Sequence, residues 1–250
     1  LIERWGKNVD RQRFLRAMET AEIGGNSIGT LNESPLHAVL KLYCEPRSEL
    51  HEVDIGGYVA DIANETGYIE IQTRNFAAMK KKLSGLLDQS VVTLVYPVAG
   101  IKWVLWIDTE TGEITPRRKS PKKWQPADVF YELYRIRELI DHPNFRLKVV
   151  VLELEEYKYL DGWDKSKKRN ATRATRVPID ILDEIDVTCP EELTLLLPEL
   201  PKQFTTADVA KSGSISDSGA QKAVKMLTDM GVAERVGKRG RRYLYEIREQ

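Results

Sequence analysis

Asp61, Glu70 and Gln72 are the polar side chains whose types and spacing best suit joint chemistry. They lie within residues 51–74, HEVDIGGYVADIANETGYIEIQTR. This stretch reads as three short antiparallel strands, 51–55, 58–63 and 68–73, turned by Gly56-Gly57 and by residues 64–67. Val, Ile and Tyr fill the strands, while Gly, Asn and Thr fill the turns. Side chains alternate across a strand, so Tyr68, Glu70 and Gln72 share one face, and Ile69 and Ile71 take the other. A tight turn brings Asp61 beside Glu70. Two carboxylates flanked by a further polar side chain suit a hard divalent cation with oxygen ligands and retained waters. A sheet face that is polar because it is wet accounts for the same residues and stands as the alternative.

With Asp61 on one strand and Glu70-Ile71-Gln72 on the next, the stretch resembles the PD-(D/E)XK nuclease superfamily, the restriction-endonuclease-like fold. In that family the Asp and the acid of an E-x-K triplet hold one or two Mg²⁺ ions, and the Lys orients or activates the attacking water. The resemblance implies that Asp61 and Glu70 bind Mg²⁺ or Mn²⁺, with the Ile71 carbonyl completing the site. Gln72 stands where Lys is usual and takes the water-orienting role. The family's helix ahead of the meander often adds an acid. Glu33 is the candidate here, with Glu45, Glu52 and Asp54 as rivals. Lys80 is a candidate substitute for the missing Lys, against the alternative of a solvated lysine face.

Several elements must position these groups. Residues 1–23 read as an amphipathic helix. Ser34 and Pro35 open a second helix with Leu36, Val39, Leu40 and Tyr43 as its apolar stripe, stopped by Pro46. After Gln72 the pattern is helical again, with Phe76, Met79, Leu83, Leu86 and Leu87 opposite Lys80, Lys81 and Lys82. Residues 91–98 form a nearly continuous apolar run, as in a buried strand. Helix, three strands, helix, strand is the order of the nuclease core. Strands at 102–107, 113–115 and 146–155 and a helix at 128–141 extend it.

The expected architecture is therefore α/β: a restriction-endonuclease-like mixed sheet flanked by helices in residues 1–188 (core 33–155), a linker at 189–202, and a small domain at 203–250. That last part has a capped short helix, a second helix at 219–230, and a strand, a basic turn and a strand. It resembles a winged helix. Such domains place the second helix in the DNA major groove and the hairpin on the backbone or minor groove. The resemblance assigns Ser218, Gln221, Lys222 and Lys225 to the reading helix, and Lys238, Arg239, Arg241 and Arg242 to the wing.

Lys and Arg number 38, equal to Asp and Glu, so the formal net charge is zero and the distribution of charge carries the information. Arg117, Arg118 and Lys119 crowd a proline-flanked loop, where a phosphate contact and a merely soluble loop both fit. Residues 165–176, with Lys167, Lys168, Arg169 and Arg173, have the composition of a flexible arm that lies along a nucleic-acid backbone or serves no function. Cys44 and Cys189 lack metal-ligand spacing and read as reduced packing thiols. No apolar run is long enough to span a bilayer, so no membrane partner and a cytoplasmic location are expected. These readings converge on a metal-dependent DNA endonuclease acting on double-stranded DNA. A homodimer is expected, since cutting both strands usually needs two active sites. A non-catalytic DNA-binding regulator on a degenerate nuclease scaffold, or a protein–protein adaptor, are the alternatives.

Overall fold

A computed structural model describes residues 9–21, 34–121, 124–163 and 169–248. In chain order, helices α1 (Arg11–Thr20) and α2 (Pro35–Cys44) precede strands β1 (His51–Ile55), β2 (Tyr58–Asn64) and β3 (Gly67–Ile71). Helix α3 (Phe76–Leu87), β4 (Val92–Asp108), β5 (Arg118–Lys119), α4 (Phe130–Leu133), β6 (Phe145–Trp163) and β7 (Arg169–Val187) follow. Helices α5 (Thr206–Gly213) and α6 (Asp217–Asp229) and strands β8 (Ala233–Arg239) and β9 (Arg242–Ile247) end the chain. A seven-stranded sheet has the order β1-β2-β3-β4-β6-β7, with β5 on β4, and β8-β9 form a separate two-stranded sheet. Pairing of β2 with β3 is antiparallel and of β3 with β4 parallel, so the sheet is mixed, as expected.

Contacts divide the chain into two compact units. One comprises Leu1–His51, Ala99–Lys123 and Val151–Asp183, the other Glu52–Val98, Trp124–Val150 and Glu184–Gln250. In the first, α1 follows its N-cap Asp10, whose carboxylate accepts from the Arg13 N–H. It lays Phe14 edge-on to Tyr43 of α2, with ring centroids 5.6 Å apart.

The second unit holds the carboxylate meander. Its α3 buries Phe76, Met79, Leu83, Leu86 and Leu87, the i, i+3, i+7 stripe visible in the sequence. Each fully buried Leu stabilises by about 2–3 kcal/mol. Gly67 makes the β2–β3 turn possible, because a Cβ there would stand 2.2 Å from the Val91 carbonyl oxygen at φ +121°. Gly85 lets α3 approach β2, since a Cβ would meet the Tyr58 ring at 2.7 Å. One apolar cluster takes in Leu83, Leu94, Phe130 and Val149 together with Ala223 and Leu227 of α6. The stretch expected as a linker carries a 3-10 helix, Pro190–Leu196, whose Leu193 and Leu196 join this cluster.

Several elements differ from the sequence reading. Strands expected at 91–98 and 102–107 are one, β4, because Gly100 continues the extended run instead of turning. The basic stretch read as a flexible arm is strand from Arg169 onward. Arg118 and Lys119 pair with Val104 and Trp103 despite the neighbouring prolines, since an edge strand needs few ladder hydrogen bonds. Residues 113–115 contribute only an isolated bridge, Ile107 to Ile114. The helix expected at 128–141 is broken into 3-10 and α pieces, because its apolar spacing also satisfies a three-residue turn. Cys189 is exposed, not packed. Among the described residues no helix is long and apolar enough to cross a membrane.

Candidate functional site

The register Ile62↔Ile69 and Ala63↔Tyr68, continued one step, sets Asp61 opposite Glu70. Asp61 Oδ2 accepts the Ile71 N–H at 2.7 Å, and Glu70 Oε1 lies 3.4 Å from the Asp61 N. The two carboxylates expected to meet do meet. Asp61 and Gln72 on this face are half-buried. Glu70 itself is 4% exposed, so a solvated face does not account for it.

A buried carboxylate beside another needs a counter-charge. It comes from Lys82 of α3, whose Nζ donates to Glu70 Oε2 at 2.7 Å. Sequence reasoning missed this residue by assigning the lysines of α3 to a solvated face. The pattern of the helix carries no signal for it. Lys80, the earlier candidate, instead forms an ion pair with Glu138. Burial and the Asp61 charge push the Glu70 carboxyl up to about 7, and the hydrogen bond and charge of Lys82 only partly oppose them. Gln72 continues the pairing to β4 through its N–H on the Val95 carbonyl, 2.9 Å.

Glu33 lies outside the described residues. Its rivals are engaged locally: Glu45 binds Arg47, and Asp54 accepts the Gly57 N–H in the β1–β2 turn. Among the described residues, no three His, Cys, Asp or Glu side chains gather as a metal site. A hard cation at Asp61 and Glu70 therefore finds two carboxylates, of which Asp61 Oδ2 is held by Ile71 and Glu70 Oε2 by Lys82. The pair fits a water-rich ion such as Mg²⁺ only if that ion displaces Lys82 or shares Glu70 with it.

The cationic candidates separate into groups. Arg117 and Lys119 stand over the Trp103 ring, 4.6 and 5.7 Å from its centroid, and Arg117 also faces Glu155 at 3.6 Å. Arg118 is exposed on β5. Lys167, Lys168 and the Arg169 side chain lie outside the described residues, whereas Arg173 points to Glu156 at 3.4 Å.

In the second unit, Ser216 caps α6 by accepting the Gly219 N–H. Ala220, Ala223, Val224 and Leu227 are buried, leaving Ser218, Gln221 and Lys225 exposed along one stripe. Lys222, half-buried, donates to Ser218 Oγ at 2.6 Å and stands 4.3 Å from the Tyr131 ring centroid. Ser218, Gln221, Lys222 and Lys225 line a cleft of about 610 Å³ with Arg235, Tyr134 and Tyr245. The hairpin turn is just Gly240 and Arg241, with Arg239 paired to Arg242 across it. Arg239 reaches back to Asp208 and the Gln203 carbonyl, while Arg241 and Arg242 are exposed and Lys238 stands over Tyr243.

A family model described as "Domain of unknown function (DUF8091)" matches residues 34–188. A protein of Treponema pallidum (strain Nichols), described as "Uncharacterized protein", is 30% identical over 221 residues, covering 88% of this chain and 87% of its own. No solved structure matches the chain.

Proposed function

Because the chain belongs to the DUF8091 family, a domain of unknown function, its activity has to be argued from its own residues, and we propose that it is a nucleic-acid-binding protein built on a nuclease-like sheet. The observation that carries this reading is the shared cleft of Ser218, Gln221, Lys222 and Lys225 of α6 with Arg235 of the adjoining hairpin. Two helices followed by a cationic hairpin are the parts of a winged helix. α6 would supply base-edge contacts through Gln221 and phosphate contacts through Lys222 and Lys225, and Arg241 and Arg242 would grip the backbone. The likeness of β1–β3, α3 and β4 to the restriction-endonuclease core supports the scaffold. In this reading the Asp61–Glu70 pair is neutralised by Lys82 and a proton and does no chemistry. Double-stranded DNA is the expected partner.

Measuring DNA binding by fluorescence anisotropy across a salt series tests this. Binding that weakens steeply with salt, and further in Lys222→Gln/Lys225→Gln, is the expected outcome. Salt-independent or absent binding to duplex and single strands would sink it and leave the adaptor reading.

A second reading is phosphodiester hydrolysis, favoured by one observation: Glu70 is a buried carboxylate set against both Asp61 and Lys82, which pull its affinity for a proton in opposite directions. Asp61 and Glu70 would hold Mg²⁺, with the Ile71 carbonyl completing the site, and a bound ion would supply Lewis-acid stabilisation of the developing charge. Gln72 would orient the attacking water, and Lys82 would hold Glu70 in place and favour its charged form. Plasmid nicking that requires Mg²⁺ or Mn²⁺, stops with EDTA and is lost in Glu70→Gln would establish it. Tight binding without nicking favours the first reading.

A further inference from the structure

In the first unit, Glu156 of β6 is 1% exposed and collects cations from three strands. Lys102 of β4 and Lys158 of β6 approach its Oε1 at 3.4 and 3.3 Å, and Arg173 and Arg176 of β7 approach its Oε2 at 3.4 and 3.1 Å. Four cations thus share one carboxylate. Even with Arg173 set aside, three do. Lys158 also stands 5.5 Å from the centroid of the Trp106 ring.

Four features separate this cluster from an ordinary ion pair. Lys102, Lys158 and Arg176 alone outnumber the carboxylate they share, at a place where burial makes uncompensated charge costly. The contacts are longer than the 2.7–2.9 Å typical of a charge-assisted hydrogen bond, so Glu156 orients Lys102, Lys158 and Arg176 without saturating them. The two arginine contacts use Nε, which leaves the terminal guanidinium nitrogens of Arg176 without a hydrogen bond to protein among the described residues. Strands hold all four cations, giving them the fixed spacing that recognition of an oxyanion needs.

We propose that Lys102, Lys158, Arg173 and Arg176 form a binding site for a phosphate group, with Glu156 as the buried anchor that arrays them. Two sources supply such a group: the diester of a nucleic-acid backbone, or a free phosphate. The site stands on this cluster alone and does not depend on nucleic-acid binding by α6.

The test uses the full chain with inorganic phosphate and, separately, with a single-stranded oligonucleotide lacking terminal phosphates. Lysine acylation read by mass spectrometry locates the ligand in the unaltered protein, with protection expected at Lys102 and Lys158. Phosphate is also expected to broaden its ³¹P resonance and raise Tm beyond chloride at equal ionic strength. Lys158→Gln is expected to weaken binding about tenfold and Lys158→Arg to restore it. Lys158 is part-exposed and three cations remain on Glu156, so the variant keeps its core. Protection by inorganic phosphate assigns a free-phosphate site, and protection by the oligonucleotide alone assigns a backbone contact. Protection by neither overturns the proposal and leaves the cluster as an ion network holding the strands together.

Discussion

Lys82 Nζ lies 2.7 Å from Glu70 Oε2, joining the helix that covers the sheet to a carboxylate that is 4% exposed. The pair is asymmetric. Lys82 retains a quarter of its side-chain exposure, whereas Glu70 has burial on one side and Asp61 on the other. The proton and the lysine therefore compete to neutralise the same group.

The Glu70 carboxyl, ordinarily near 4.5, sits near 7 in the fold. Between those pH values the native state holds a proton that the unfolded chain has released, so stability falls as pH rises through this window and levels off above it. Glu70→Gln, which mimics the protonated acid, removes that slope. Urea denaturation is expected to show the variant gaining about 2 kcal/mol on wild type between pH 5 and pH 8. Parallel pH profiles for the two proteins would refute the assignment.

Removing the cation tests the other half. In Lys82→Met the opposing contribution is gone, so the Glu70 midpoint should climb above 7, read from the ¹³C titration of its carboxyl. The stability loss is expected to be about 1–3 kcal/mol at pH 8 and smaller at pH 5, where Glu70 is already protonated. An unchanged midpoint would mean that Lys82 is a bystander.

Much of this site was legible because strand register is fixed by turn length. The residues between Asp61 and Glu70 leave room for only a tight turn, and alternation then decides which side chains meet. Gly67 and the alternating Ile69 and Ile71 made the same point from the turn and the core. Lys82 was not legible. An amphipathic helix predicts that its lysines face water, and nothing in that pattern reports a buried acid beneath one of them. Lys158, Arg173 and Arg176 were obscured differently. Charge on both faces of a strand removes the period-two signal, so the reading of β6 stopped at residue 155 and the start of β7 looked like an arm. The burial of the short helix at 190–196 was not legible, since leucines beside prolines read equally well as a linker.

Gly67→Ala probes the turn that sets the register. The new Cβ would collide with the Val91 carbonyl at a φ that L side chains rarely adopt, so the backbone must move. The expected cost is about 2–4 kcal/mol by thermal denaturation, with Glu70 returning toward an ordinary carboxyl titration as the pair separates. Full retention of stability would show that the β2–β3 turn is not as tight as described.

The α6 stripe and the hairpin should contribute differently to nucleic-acid binding, and the difference separates reading from gripping. Arg241 and Arg242 are exposed at the hairpin tip, where a guanidinium can reach a phosphate but carries no sequence information. Arg241→Gln should therefore weaken binding to all sequences alike and reduce the salt dependence by about 0.9 in log–log slope. Gln221 is uncharged and exposed between Ser218 and Lys225 on the stripe, with an amide suited to two hydrogen bonds on an adenine edge. Gln221→Ala should leave the salt slope unchanged while flattening sequence preference by about 1–3 kcal/mol at one position, measured by competition among randomised duplexes. A slope that moves with Gln221 and not with Arg241 would mean that the roles are reversed, and that α6 grips while the hairpin reads.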